Sequence, residues 1–299
     1  YEQSDNDYET LFNIANGILD EITIELSQSV TAFNPTSFNF SGDVLTDNEY
    51  VYVENVPSLG FRSVLPEVRN SIKTNDYLLE NDFLRVAFNT NGTVVSIFDK
   101  NQSREILSAG GKGCRIVAYD DYPFNFDAWE IKDYYKEKSY EITEPISSEI
   151  VVEGNRTGKK TVYKYLNSII KQTVWLYQNN RYLDFENEID WSEEHTILKA
   201  EIPLDINCSK ATCDIQFGTV ERSLAKNTSW DKARFEVCAH KFVDYSEADY
   251  GVAVMNDCKY GYSLEYKNMS LTLLKCATSP NENADKGKHY FKYAIYPHI

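Results

Sequence analysis

The chain has 299 residues, of which 42% are hydrophobic and 14% aromatic, a globular composition long enough for one large β domain or two ordinary ones. A net charge of −16 repels phosphate backbones and argues against nucleic acid as a partner, while leaving sugars allowed. No apolar run approaches the roughly 20 residues that span a bilayer, so no membrane partner is expected.

The first residues, Tyr1 to Asp5, carry no basic region, no apolar signal core and no initiator Met, which points to a fragment or a processed product. Tyr8, Leu11, Phe12, Ala15, Ile18, Leu19 and Ile22 then recur at spacings of three and four. That predicts a helix with one apolar stripe, capped by Ser4 or Asp5. Such a stripe must pack on the following domain or on a helical domain before it. Asn34-Pro35 marks a turn, after which the period changes.

Residues 50–53 read as a short strand and Pro57-Ser58-Leu59-Gly60 as a loop. Two apolar runs, 83–88 and 94–98, flank Asn91-Gly92 and predict a hairpin with a tight turn. Further strands are expected at 149–153, 161–165 and 169–177. The clearest is 182–191, with Leu183, Phe185, Ile189 and Trp191 on one face and Asp184, Glu186, Glu188 and Asp190 on the other. More are expected near 198–204, 213–217, 235–239, 251–255, 271–275 and 290–296. One helix followed by a dozen or more strands predicts a mainly β fold of large antiparallel sheets packed as a sandwich.

Little in the chain suggests self-contained catalysis. His195, His240, His289 and His298 are far apart, without the HxxxH, HExxH or His-x-Asp spacing of a metal site. The six Cys (Cys114, Cys208, Cys213, Cys238, Cys258 and Cys276) form no CxxC pair and predict reduced, mostly buried thiols in a cytoplasmic protein. No GxSxG elbow or phosphate-binding glycine loop occurs. The acidic face of 182–191 has carboxyl spacings that suit glycoside hydrolysis, but a solvated face offset by Lys and Arg on neighbouring strands explains it as well.

Two segments hold candidate binding groups. Asp120 to Tyr135 breaks the strand pattern and mixes aromatics with carboxylates, a combination that packs on the C–H faces of sugars and binds their hydroxyls. A structured loop covering the sandwich end is the alternative. Between two strands, the loop around 227–234 presents Asn227, Trp230, Asp231 and Arg234, with Arg222 just before it. Alternatively Trp230 plugs the core edge and Arg234 pairs with Asp231.

Several segments in order resemble the C-terminal half of α-mannosidases of glycoside hydrolase family 38, the branch of cytosolic and bacterial enzymes. They are Phe33-Asn34-Pro35-Thr36-Ser37-Phe38, Glu80 to Val86 with Asn91-Gly92-Thr93, Phe126-Asp127-Ala128-Trp129-Glu130-Ile131, Gln216-Phe217-Gly218 with Glu221-Arg222, Asn227-Thr228-Ser229-Trp230-Asp231, and Ala233-Arg234-Phe235-Glu236-Val237. Asn256 to Tyr262 and Tyr296-Pro297-His298 complete the set. The resemblance implies a galactose-mutarotase-like super-sandwich over 29–299, with residues 1–28 as the end of a helical bundle. It also implies a retaining enzyme whose Asp nucleophile and zinc ligands lie upstream, so no catalytic or metal residue is expected here and zinc belongs to that other domain. This part would support and rim the mannose site through Asp127, Trp129, Arg222, Asn227, Trp230, Asp231 and Arg234. Its partners would be a mannose-containing glycan, its own catalytic and helical domains, and a second copy in a homo-oligomer. The competing readings are a hexose mutarotase or epimerase using His195 or His240 with a carboxylate, and a free-standing carbohydrate-binding module.

Overall fold

The computed structural model describes residues 2–26, 31–46, 49–63, 71–110 and 112–299. The chain forms two compact units, Tyr1–Arg69 and Asn70–Ile299.

The first unit holds helix α1 (Glu2–Leu26) and strands β1 (Thr31–Asn34), β2 (Phe40–Leu45), β3 (Tyr50–Val56) and β4 (Gly60–Ser63). The helix starts upstream of Ser4 and Asp5, so neither caps it; Asp5 instead sits in the first turn, where a negative charge suits the helix dipole. Its stripe residues Tyr8, Leu11, Phe12, Ile18, Leu19 and Ile22 are exposed. Strand β1 pairs with β4, and β2 with β3, both antiparallel. The Asn-Pro turn is fixed by Asn34, which is buried. Its amide donates to the carbonyls of Phe38 and Val56 at 2.6 and 3.1 Å, and its Oδ1 accepts from the backbone and hydroxyl of Thr36.

The second unit continues with β5 (Lys73–Asn75), β6 (Leu78–Glu80), β7 (Leu84–Phe88), β8 (Val94–Asp99) and β9 (Arg104–Glu105), which form a five-stranded sheet in that order. Then follow β10 (Arg115–Asp120), β11 (Ser139–Glu141), β12 (Pro145–Glu153), β13 (Arg156–Tyr165), β14 (Ser168–Tyr177), β15 (Leu183–Trp191), β16 (Thr196–Pro203) and β17 (Lys210–Ile215). After β18 (Gly218–Ser223) comes the short helix α2 (Ser229–Ala233). The last strands are β19 (Val237–Cys238), β20 (Phe242–Ser246), β21 (Gly251–Asn256), β22 (Gly261–Glu265), β23 (Asn268–Lys275) and β24 (Gly287–His298). A six-stranded sheet runs β11-β10-β16-β23-β22-β19, and a nine-stranded sheet runs β12-β13-β14-β15-β24-β21-β20-β17-β18. One hydrophobic core joins residues of all three larger sheets: Leu84, Val86 and Ile97; Leu198, Ala200, Ile202 and Leu271; Phe185, Ile189, Val254 and Ile295. The expected antiparallel sandwich is therefore the observed fold.

Strand β15 shows how pattern becomes packing. Leu183, Phe185, Ile189 and Trp191 are buried, and the acidic residues face outward. Asn187 shares the buried face, satisfied by the Gln172 amide at 2.9 Å. On the outer face Glu188 meets Lys171 at 2.6 Å, Glu186 meets Lys292 at 3.0 Å, and Asp184 accepts from the Tyr177 hydroxyl at 2.8 Å. The acidic row is a cross-strand ladder, as the plainer of the two readings has it.

The β7–β8 hairpin joins the two expected runs, with Phe88 opposite Val94 and a tight turn in which the Gly92 N–H donates to the Asn89 carbonyl at 3.1 Å. Asn89 fixes that turn: its Oδ1 accepts from the N–H of Asn91 and of Thr93. Gly92 is required twice over, by a φ of +76° and by Thr161, whose side chain would lie 2.4 Å from an added Cβ. Two local expectations need correction, those on Gln216 with Phe217 and on the Cys. Gln216 and Phe217 belong to the β17–β18 turn, with Phe217 at φ +61° and fully exposed. The Cys are all free thiols, but only Cys114, Cys213 and Cys276 are buried.

Candidate functional site

The chain's ordering places two loop systems on the six-stranded sheet. The first follows β10. Because β10 pairs with β16 (Asp120 opposite Thr196) and β16 pairs with β23 (Ile197 opposite Lys275), the end of β10, the start of β16 and the end of β23 meet at one edge. Asp121, His195 and the stretch Lys275–Thr278 are thereby brought to the loop that carries Asp127.

Asp127 is the pin of that loop. Its Oδ2 accepts from the Thr278 N–H at 2.7 Å and the Thr278 hydroxyl at 3.1 Å, while Lys275 Nζ donates to its carbonyl at 2.6 Å. The same ammonium reaches Asp121 Oδ2 at 2.6 Å. Burial pushes the Asp127 carboxyl up, but the Thr278 hydrogen bonds, His195 and Lys275 outweigh it and hold it below the usual range. Asp121 goes the other way: burial raises it despite Lys275. Asp127 Oδ1 faces His195 Nδ1 at 3.7 Å, and neither atom has a hydrogen bond. The Tyr122 ring stacks on His195 at 4.8 Å, and Tyr134 donates to the Tyr122 carbonyl. Phe126 adopts φ +58°, uncommon for a non-glycine residue, and its carbonyl accepts from the N–H groups of Trp129 and Glu130. The result is a fixed backbone that presents aromatics outward: Phe124 is 89% exposed and Trp129 73%, with Tyr122 and Phe126 exposed beside them. Rigid exposed aromatics at the end of a scaffold are suited to binding.

The second system joins β18 to β19. Thr228 caps α2 by accepting from the Asp231 N–H at 3.1 Å, and the Asp231 carboxylate accepts in return from the Thr228 N–H and hydroxyl. Asp231 is thus engaged in its own helix turn, which lowers its pKa. Arg222 donates to the Cys238 carbonyl at 2.9 Å, and Lys226 to the Arg234 carbonyl at 2.9 Å. Arg222, Lys226, Asp231 and Arg234 line one cleft of about 190 Å³, floored by Val220, Val237 and Leu264. Asn227 and Trp230 are exposed beside it, Trp230 to 75%. Trp230 therefore does not plug the core, and no ion pair joins Arg234 to Asp231 among the described residues.

The two systems meet at a buried ammonium. Lys199, 1% exposed on β16, donates to both oxygens of Glu236 at 2.9 and 2.8 Å and to the Thr272 hydroxyl at 2.8 Å. Tyr135, from the 3₁₀ turn Asp133–Glu137 that ends the first loop, donates to Glu236 at 2.6 Å. Tyr135 packs edge-on to Tyr119, and both bury Ile197 and Val117 on the sheet's outer face. Sequence patterning missed this node. A Lys alternating with Leu198 and Ala200 in a strand, with Glu201 on its own side, reads as part of a solvated face, and only its partner loops reveal the burial.

The structure thus separates the predicted site residues into Asp127 with Trp129, and Arg222, Asn227, Trp230, Asp231 with Arg234. It adds Asp121, His195, Lys275 and Thr278 to the first. The two histidines of the mutarotase reading are not equivalent. His195 has Nε2 3.3 Å from the Thr278 hydroxyl and Nδ1 toward Asp127, so both ring nitrogens face protein groups. His240 packs edge-on to Tyr260, with Nε2 3.4 Å from the Gln216 amide and no carboxylate within 4 Å among the described residues.

Residues 79–283 match the family described as the glycosyl hydrolases family 38 C-terminal domain. Alpha-mannosidase 2C1 of Mus musculus is 38% identical over 223 residues, which are 74% of this chain and 22% of that protein. Alpha-mannosidase G of Dictyostelium discoideum is 36% identical over 235 residues, 75% of this chain and 21% of that protein. The chain spans about a fifth of the length of the curated relatives it matches. The crystal structure of an alpha-mannosidase from Enterococcus faecalis superposes with a TM-score of 0.66 at 15% identity, over 90% of this chain and 36% of that one. That likeness concerns the fold.

Proposed function

The chain belongs to the glycosyl hydrolase family 38 C-terminal domain family, and from that membership we propose that it is the non-catalytic β part of a retaining, zinc-dependent α-mannosidase that removes terminal α-mannosyl residues from glycans in the cytoplasm. The observation that carries the reading is the span of the match. Residues 79–283 fit the C-terminal domain, and the α-mannosidase relatives are about five times longer than the matched stretch.

In this reading the nucleophile and the zinc ion belong to the preceding domain. Among the described residues no three His, Cys, Asp or Glu side chains are placed to hold a metal ion together. No helix among them is long and apolar enough to cross a membrane. The exposed stripe of α1 supports its assignment to a helical bundle, since a single helix cannot bury such a face alone.

What this chain contributes is the rim. Trp129 offers a ring to the C–H face of a mannose or of the next sugar, and Asp127, spent on Thr278 and Lys275, positions that ring rather than touching the glycan. Asn227 and Trp230 form a second exposed pair with the same potential. Hydrolysis of 4-nitrophenyl α-mannoside is the test. The chain alone, with or without added zinc, should be inactive, while the full-length product of its gene should be active. Trp129→Ala in that product should lower kcat/KM about tenfold, within the range of one lost aromatic contact. Turnover by the chain alone would refute the reading.

A further inference from the structure

The cleft beside α2 has a charge that neither the fold nor the mannosidase reading calls for. It lies where β18, the edge of the nine-stranded sheet, approaches β19 and β22 of the six-stranded sheet. Three cationic side chains line it: Arg222, Lys226 and Arg234. Among the described residues no carboxylate oxygen lies within 4 Å of any of them, in a protein of net charge −16 where most buried and half-buried cations are paired. The two acids in the lining are engaged elsewhere. Glu221 pairs with Lys210 at 2.6 Å, and Asp231 closes the Thr228 cap, from where it attracts Arg234 and Lys226 only at longer range. Two of the cations are fixed by backbone carbonyls instead, Arg222 by Cys238 and Lys226 by Arg234, and the Arg234 side chain is exposed. Burial and the nearby Lys136 lower the Lys226 pKa, and Glu265, Asp231 and Glu236 offset this only in part.

We propose that this cleft binds a phosphate monoester, free or carried by a sugar. Three separate cationic groups match the three terminal oxygens of a phosphate, where a carboxylate offers two. The volume of about 190 Å³ is below that of a drug-sized pocket and suits one small charged group with part of its carrier. Val220, Val237 and Leu264 give the floor an apolar side, and Trp230, next to Asp231 on α2, stands exposed to stack on a carrier ring. The site is independent of the mannosidase reading, because it uses neither Asp127 nor Trp129 and no upstream domain.

The test is a titration of the full 299-residue chain, followed by amide NMR of residues 220–237 and by Trp fluorescence, with inorganic phosphate, mannose 6-phosphate and mannose as separate probes. Phosphate should shift the amides of Arg222, Lys226 and Arg234 saturably, and more weakly as salt is raised. If the natural ligand is a sugar phosphate, mannose 6-phosphate binds tighter than phosphate and changes Trp230 emission; if it is free phosphate, the two bind alike. Mannose alone should leave these amides unmoved. Arg234→Gln, at an exposed position, should weaken phosphate about tenfold, the loss of one charge-assisted contact, and Arg222→Gln at least as much. The proposal is overturned if neither phosphate probe shifts these amides at millimolar concentration, or if the folded Arg234→Gln chain binds as tightly as the parent.

Discussion

The two loops that carry exposed tryptophans are built on opposite principles. The loop of Asp127 and Trp129, beyond its turn at Phe126, is held from far along the chain, by Lys275 at the end of β23 and by Thr278 just past it, across about 150 residues of sequence. The loop of Asn227 and Trp230 closes on itself through a capping box three residues wide and through carbonyls of its own stretch. Similar exposed rings therefore depend on different parts of the fold. Displacing the β10–β16–β23 edge should disorganise the first loop and spare the second. What they share is Glu236, to which Lys199 and Tyr135 both donate.

The largest effect should come from that shared point. Lys199→Met removes the ammonium and leaves Glu236 and the Tyr135 hydroxyl facing each other in a mostly buried site. Breaking one partner of such a pair costs about 3–5 kcal/mol. Urea unfolding of the second unit should show this loss, and Lys199→Met/Glu236→Gln should recover much of it. A single variant as stable as the parent would mean that the two loops are not tied at this node.

Next in size is the pin of the first loop. Asp127→Ala leaves the Thr278 N–H without its charged acceptor, a loss of about 1.5–3 kcal/mol. The sign of its pH dependence follows from the lowered pKa. A carboxyl whose folded pKa lies below the ordinary value near 3.9 contributes stability that is complete above that value and lost as pH falls through the folded one. The gap between parent and variant should therefore be widest at neutral pH and narrow in acid. Asp121, raised by burial, runs opposite: its charged form costs stability near neutral pH, and protonation relieves that cost as pH falls. A parent-minus-variant gap that grew on acidification would contradict the assignment of Asp127.

How far the sequence reaches differs between these loops for the same physical reason. Period-two strands such as Leu183–Trp191 and the Gly92 turn are local patterns that can be recognised without a fold; the box Thr228 to Asp231 is as local, but the stretch reads as a loop until the α2 turn is seen. Strand Arg115–Asp120, buried on both faces, has no alternation to mark it and was not anticipated, although it places the whole first loop. Nor could the partners of Asp127 be anticipated, since Thr278 meets it only after β10, β16 and β23 have paired. The same holds for Lys199, whose burial depends on two loops folding over it.

The smallest effect tests whether the second loop is as self-contained as its hydrogen bonds indicate. Thr228→Ala removes the cap and half of the box, a change of about 1 kcal/mol. The residues concerned are exposed, so the loss should appear as faster amide exchange over 228–234, with β16 and β23 unaffected. Thr228 and Asp127 share no hydrogen-bond partner, so the double variant Asp127→Ala/Thr228→Ala should be additive within about 0.5 kcal/mol in a double-mutant cycle. Among the described residues, Glu236 with Tyr135 and Lys199 is one route by which one loop could feel the other, beside the Lys136–Ser263–Phe235 hydrogen bonds. A coupling well above that value in the parent that vanished in the Lys199→Met background would make the two loops a single cooperative rim, held in register by the buried ammonium.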